Sequence, residues 1–257
     1  MVERNADRLG GKFIGIGDVI EGQVITACLD LGFESFDDYE KACRKISKGN
    51  AIRDAKKADK AGYYVKPFDR RMHIPDIVEI NTSKEVRSGG KMKASYRRSI
   101  DEMGGAPSKH FETEMPSCPV HYDLWWGIFE KVDGYKQGDV VTNERLLAYI
   151  DLRRLGDYGL YSMIIGHGDY LKDGVVNRLH LGVMEWLLEA GNACGEGFKS
   201  LMYAGYYQGG DGLRRWKKRF AFEPTYLVAS DAKTTSPVLP LRRLFRAMLA
   251  KLTKGGK

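Results

Sequence analysis

The 257-residue chain predicts an α+β fold: a central mixed, mostly antiparallel sheet flanked by helices in an α/β three-layer manner, with a helical N-terminal portion. Three observations predict it. Residues 35–62 carry apolar side chains at helical spacing. Three apolar, aromatic and β-branched runs follow one another between Leu124 and Gly168, separated by turn residues. From Asp173 onward, helical and strand-like segments alternate up to Ser230.

The elements follow in order. Phe13 to Ile20 is expected as a strand, and the glycine-containing stretch up to Gly32 as a short helix or second strand. Ser35 followed by Asp38 resembles a capping box, with Asp in place of Glu. The helix it opens puts Phe36, Tyr39, Cys43 and Ile46 on one face. Gly49-Asn50 breaks it, and a second helix carrying Ala55, Ala58 and Ala61 ends at Gly62. Asp76–Lys84 and Met92–Met103 are expected helices around a break at Arg87–Gly90. The meander comes next, its last connection, Gly156-Asp157, short enough for a tight hairpin. A helix over Asp173–Ala190, a strand over Phe198–Ala204, a helix over Gly212–Phe220 and a strand over Thr225–Ser230 complete the pattern. Residues 1–240 are expected as a single domain, its helical part near 33–105 and its sheet core near 124–230. Leu241, Leu244, Phe245, Met248, Leu249 and Leu252 stripe a basic amphipathic helix over 241–257, suited either to packing on its own domain or to a partner or membrane surface.

Bulk properties narrow the function classes. A net charge of +7 points to an anionic partner, such as nucleic acid or a phosphate-bearing cofactor. No apolar run is long enough to span a membrane, so no transmembrane segment is expected. The start of the chain lacks an apolar signal core, and Cys28, Cys43, Cys118 and Cys194 form no CxxC pair; a cytoplasmic protein with reduced thiols is expected. His110, Cys118 and His121 make a loose group without a fourth ligand, so no metal site is expected.

The stretch Gly205–Pro224, GYYQGGDGLRRWKKRFAFEP, is the most informative. A strand opening through glycines into a helix directs free N–H groups toward an anion or oxyanion. Its Gly212, Leu213, Trp216, Lys217, Phe220, Phe222 and Pro224 resemble the C-terminal signature of the GNAT acyltransferase superfamily, most closely its FemAB-like branch. Arg53–Val65, RDAKKADKAGYYV, is similar to a second segment of that branch, and the resemblance covers about Lys41 to Val228.

The resemblance implies an N-acyltransferase that moves an acyl or aminoacyl group from acyl-CoA or aminoacyl-tRNA to an amine by direct attack, without a covalent enzyme intermediate. The acceptor would be an amine on a small molecule, peptide or nucleic acid. The segment after the expected fourth core strand, Ile165–Val175, has Gly166, Gly168 and Gly174 but not the Arg/Gln-x-x-Gly-x-Gly loop that cradles a pyrophosphate. That departure weakens acyl-CoA as donor and leaves aminoacyl-tRNA in play. His167 is the first candidate general base, with Asp169 beside it, because imidazole titrates near neutrality. Tyr206 and Tyr207 stand where a proton donor or stacking ring is needed. The oxyanion is expected at backbone N–H groups around Ile165–Asp169. Arg214, Lys217 and Lys218, in the densest charge cluster of the chain, are candidates for gripping phosphate, a solvated helix face being the competing reading. A nucleic-acid-binding or nucleic-acid-modifying protein on the same fold, with tRNA or DNA as partner, is the alternative.

Overall fold

A computed structural model describes residues 2–4, 19–20, 23–87 and 90–227, with side chains from 25 to 225. Val2–Leu227 forms one compact unit. The expected amphipathic helix over 241–257, and most of the expected strand over Phe13–Ile20, lie outside the described residues.

In chain order the strands are β1 Val2–Arg4, β2 Val19–Ile20, β3 Gln23–Asp30, β4 Tyr64–Pro67, β5 Val86–Arg87, β6 Gly90–Lys91, β7 His121–Lys131, β8 Lys136–Gln137, β9 Val140–Val141, β10 Glu144–Leu155, β11 Tyr158–Gly166, β12 Ser200–Gly205 and β13 Glu223–Leu227. The helices are α1 Phe36–Ser47, α2 Asn50–Lys60, α3 Ile74–Thr82, α4 Val175–Leu187 and α5 Gly210–Arg219. Among the described residues, the main sheet runs β1-β13-β3-β12-β11-β10-β7-β4, with β2 paired to β3. All its pairings are antiparallel except β11 with β12. The α+β class with a mixed, mostly antiparallel sheet is therefore what the chain adopts, and the order meander, helix, strand, helix, strand is the one expected from the turn signals.

Local chemistry explains most boundaries. Ser35 caps α1, accepting from Asp38 N–H at 3.3 Å. Tyr39 and Cys43 are buried as expected, while Ile46 is exposed and Ser47 takes the buried place. The β10–β11 hairpin turns through Gly156-Asp157, with Gly156 at φ +70. The expected Met92–Met103 helix does not form. Short 3-10 turns at Ala94–Tyr96 and Asp101–Met103 replace it. Ser99 N–H donates to the Glu102 carboxylate while Glu102 N–H donates to Ser99 Oγ, and this reciprocal pair restarts the chain in the middle of the would-be helix.

Side-chain alternation splits the core. Leu124, Trp126 and Ile128 of β7 join Leu147, Ile150 and Leu152 of β10 under α1, α2 and α4. Phe129, Leu146, Tyr149 and Ile165 face the other way, toward Ile77 and Ile80 of α3. A bulge at Leu147, between the pairs Leu146–Phe129 and Ala148–Ile128, shifts the alternation along β10. On the first face, fully buried His180 of α4 bridges α1 and β11: its Nε2 lies 2.6 Å from Tyr39 Oη and its Nδ1 3.1 Å from Tyr161 Oη. Burial drives its pKa down to about 3, so the ring is a neutral structural link at physiological pH.

Candidate functional site

The sheet opens where β11 and β12 part. These parallel strands pair only from Tyr158–Ser200 to Leu160–Met202. Both are bulged at that point. Ser162 is the extra residue of β11, lying between the pairs Leu152–Tyr161 and Asp151–Met163. On β12, Tyr203 and Ala204 lie between the pairs Met202–Cys28 and Gly205–Thr26. Ala204 adopts φ +51, and its carbonyl accepts from Thr26 Oγ1 at 2.8 Å. Bulges bend strands, and a non-glycine residue in the left-handed region is the kind of strain that collects at binding sites. Beyond Leu160, β11 keeps β10 on one side and, among the described residues, has no strand on the other, so its backbone from Ser162 to Gly166 borders a gap in the pairing, the cleft between β11 and β12.

Beside this gap, on the first face of the sheet, Tyr203, Tyr161, Trp216 and Phe222 pack on one another, Tyr161 and Phe222 being buried in the core. Behind Tyr203 lies Lys217, with no exposed surface. Its Nζ donates to the carbonyls of Gly205 at 2.7 Å, Gln208 at 3.2 Å and Tyr206 at 3.5 Å, and stands 5.3 Å from the Tyr203 ring centre. Burial pushes its pKa down to about 8. The ammonium faces carbonyls rather than a phosphate, so Lys217 secures the turn after β12. Arg214, ion-paired with Asp211, and Lys218 are exposed on α5. Tyr206 and Tyr207, half-buried, pack edge to face at 5.2 Å at the end of β12, beside Ile25.

The end of β11 is tightly built. His167 is buried, its Nδ1 accepting from Asp169 N–H at 3.3 Å and its Nε2 3.5 Å from Glu79 Oε1. The Nδ1 lone pair is thus engaged by backbone and Nε2 faces the Glu79 carboxylate. Arg145 meets Glu79 at 2.6 Å and Tyr170 Oη at 3.1 Å. Asp169 is exposed, 3.9 Å from His167 Nδ1. The expected oxyanion donors are engaged: N–H of His167 to Leu147 O, of Gly168 to Ser83 Oγ, of Asp169 to His167 and of Tyr170 to His167 O.

The three glycines are accounted for by packing. A Cβ on Gly166 would meet Val176 at 2.7 Å, one on Gly168 the Ser83 carbonyl at 3.0 Å, and one on Gly174 the Asp54 carbonyl at 1.9 Å. No open glycine cradle remains there. Of the His/Cys group, Cys118 Sγ and His121 Nδ1 meet at 3.8 Å, while His110 turns to Glu112.

Two further charged residues hold this part of the sheet: Arg87, from the Gly/basic loop Arg87–Lys91 whose sequence suits a phosphate contact, and Asp151, which the sequence reading passed over. Arg87 donates to Gly166 O at 2.7 Å and Ile80 O at 2.6 Å, pinning β11 to α3. Asp151, in the middle of β10 and 1% exposed, receives Arg153 Nη2 at 3.1 Å on Oδ2, while its buried Oδ1 has no hydrogen-bond partner. Burial raises its pKa, against the opposing pull of Arg153. The readable signal was a carboxylate inside the apolar strand LLAYIDL.

No family model matches the sequence, and no curated protein matches it. Among the solved structures that bear a distant likeness are two of related description. One is the C-terminal domain (DUF2156) of a putative lysylphosphatidylglycerol synthetase from Agrobacterium fabrum, 14% identical over 79% of this chain and 58% of that one, with a TM-score of 0.41. The other is L-PGS from Bacillus licheniformis, 12% identical over 88% and 64%, also at 0.41. This chain thus spans less than two thirds of either. Likenesses this distant fix no residue's role.

Proposed function

We propose that the protein is a transferase that moves an acyl or aminoacyl group onto an amine by direct attack in the cleft between β11 and β12. The observation that carries this reading is the pair of facing bulges, at Ser162 and at Tyr203-Ala204, that ends the parallel pairing and leaves β11 bordering the cleft. Outward N–H groups of an unpaired strand edge are preorganised donors for a tetrahedral oxyanion. In this reading they come from Ile164 and its outward-facing neighbours on β11, since the N–H groups of Met163 and Ile165 turn toward β10 and those from His167 to Tyr170 are taken. The amine adds to the donor carbonyl carbon, the bond to the leaving oxygen or sulfur breaks, and the N–H proton shed by the amine passes to Tyr206 or Tyr207 as that phenol gives its own proton to the leaving group. His167 and Asp169 serve as positioning residues that hold the end of β11.

Aminoacyl-tRNA is the donor that fits better than acyl-CoA, because Gly166, Gly168 and Gly174 are filled by their neighbours. Exposed Arg214, Arg215 and Lys218 on α5 supply phosphate contacts close to the turn bearing Tyr206. Thermal-shift measurements with acetyl-CoA, charged tRNA and uncharged tRNA at two salt concentrations test the reading. Preferential stabilisation by charged tRNA supports it, and saturable stabilisation by acetyl-CoA replaces the donor. Salt-sensitive binding of any nucleic acid with no donor preference makes the protein a binding module instead.

A further inference from the structure

We propose that Asp151 is a binding site for a cationic primary amine, the acceptor of the transfer. This rests on the acyl-transfer reading above. Four observations converge on it. The carboxylate is buried in the centre of β10; Arg153 donates to Oδ2 and the Ser162 hydroxyl reaches the same carboxylate, while Oδ1 has no hydrogen-bond partner among the described residues. A buried charged oxygen left unpaired is costly, and native structures retain one where a ligand or ion completes it. Second, its cross-strand neighbour is Met163, directly after the bulged Ser162, so Asp151 stands beside the residue at which β11 leaves β12. Third, the ligand chemistry is restricted. An anion is repelled, and a neutral hydroxyl supplies a donor without compensating charge. An ammonium group brings three N–H donors and a positive charge beside that of Arg153, which Asp123 shares at 3.5 Å.

Fourth, the cover over this face is lightly held. Met92, Tyr96 and Met103 pack on the same cluster as Met163 and Trp125, the two residues opposite Asp151 on β11 and β7. No residue from 90 to 105 is fully buried. Glycines at positive φ flank the segment: Gly90 at +102, Gly104 at +112 and Gly105 at +88. Few buried contacts mark a segment that opens cheaply, so an amine reaches Asp151 by displacing it.

The proton balance is simple. The ammonium, R–NH3+, pairs with the Asp151 carboxylate and transfers one proton to it, giving R–NH2 and the neutral carboxylic acid. The freed lone pair then attacks the donor carbonyl carbon, and the second N–H proton is handed to Tyr206 or Tyr207 as that phenol protonates the leaving group. The raised pKa of Asp151 suits a proton acceptor.

The test titrates propylamine, as propylammonium, into full-length protein carrying 13C-labelled aspartate carboxyls. The Asp151 resonance is the one missing from D151N. It is expected to move saturably with propylammonium and to stay in place with 1-propanol. Amide resonances of residues 91–105 are expected to respond to the amine in the wild type alone. No movement of the Asp151 resonance, equal movement with potassium chloride at matched ionic strength, or movement with 1-propanol overturns the proposal. Should D151N fail to fold, the resonance is assigned by its displacement in S162A and the same outcomes are read. Amine binding without any donor response in the thermal-shift series removes the acyl-transfer reading and keeps the amine site; donor response without amine binding removes the amine site alone.

Discussion

Replacing Lys217 with methionine keeps the side chain's length and removes its ammonium. Two of its hydrogen bonds, to Gly205 O at 2.7 Å and Gln208 O at 3.2 Å, are short. Bonds to a charged donor are worth ~1.5–3 kcal/mol each, or ~3–6 kcal/mol for the pair. Burial opposes them. The fall from the ordinary 10.5 to about 8 corresponds to ~3 kcal/mol at 1.36 kcal/mol per decade. The lysine is therefore favoured by ~0–3 kcal/mol, and K217M additionally leaves carbonyls unpaired, so a loss of ~1–3 kcal/mol is expected near neutral pH. The pH dependence discriminates more sharply. Because the folded value lies below the unfolded one, the native state sheds this proton first, and the lysine's contribution rises with pH from about 8 to about 10.5 and falls away below. Buried Tyr39 and Tyr161, whose pKa values burial raises, act in the opposite sense above about pH 10, but they are common to both proteins and cancel in the difference. Urea unfolding of wild type and K217M from about pH 7 to about pH 10 should show the stability gap widening by ~1 kcal/mol per pH unit above about 8. A gap that stays flat refutes the buried, carbonyl-held ammonium.

Three further outcomes are expected. G174A forces φ +77 on a residue with a Cβ and drives that atom to 1.9 Å from the Asp54 carbonyl; a loss of at least ~2–3 kcal/mol in chemical denaturation is expected. Burial raises the Glu144 pKa, but bonds from His73, Lys66 and Tyr64 outweigh it and hold the value at about 2. Its ~3 kcal/mol contribution is present above about pH 4.5 and lost as pH falls toward 2, so an acid titration of E144Q should lack that component. R214Q/R215Q/K218Q should reduce the salt slope of tRNA binding by up to ~2–3, read by fluorescence anisotropy at several salt concentrations, with the unfolding midpoint nearly unchanged.

Much of the fold was legible because it is written locally. The Ser35 cap, the Gly156 turn and the apolar periods of β7, β10, β11 and α4 need no distant partner to be read. The place of β3 was not legible, because its neighbours come from the far end of the chain. The segment 92–103 misled: Met92, Tyr96, Ile100 and Met103 do have helical spacing, but the Ser99–Glu102 exchange ends the run. At the site, the glycines of 166–174 were visible while their close neighbours were not. Lys217 was taken with the charges around it, although it lies on the apolar stripe with Leu213, Trp216 and Phe220, and that position foretells burial.

The strand β3 has a consequence for how the chain is made. It is flanked by β12 on one side and β13 on the other, both antiparallel to it. Those partners begin roughly 170 residues later, a delay of roughly 10–30 s at 5–20 residues per second of synthesis. Over that interval QVITACLD has only the short hairpin partner β2 at its start, and both edges from Ile25 onward stay open, while β7, β10 and β11 can already zip through short connections. The nascent chain thus holds one half of its sheet ready and the other half waiting, and the waiting strand is where a chaperone would be needed.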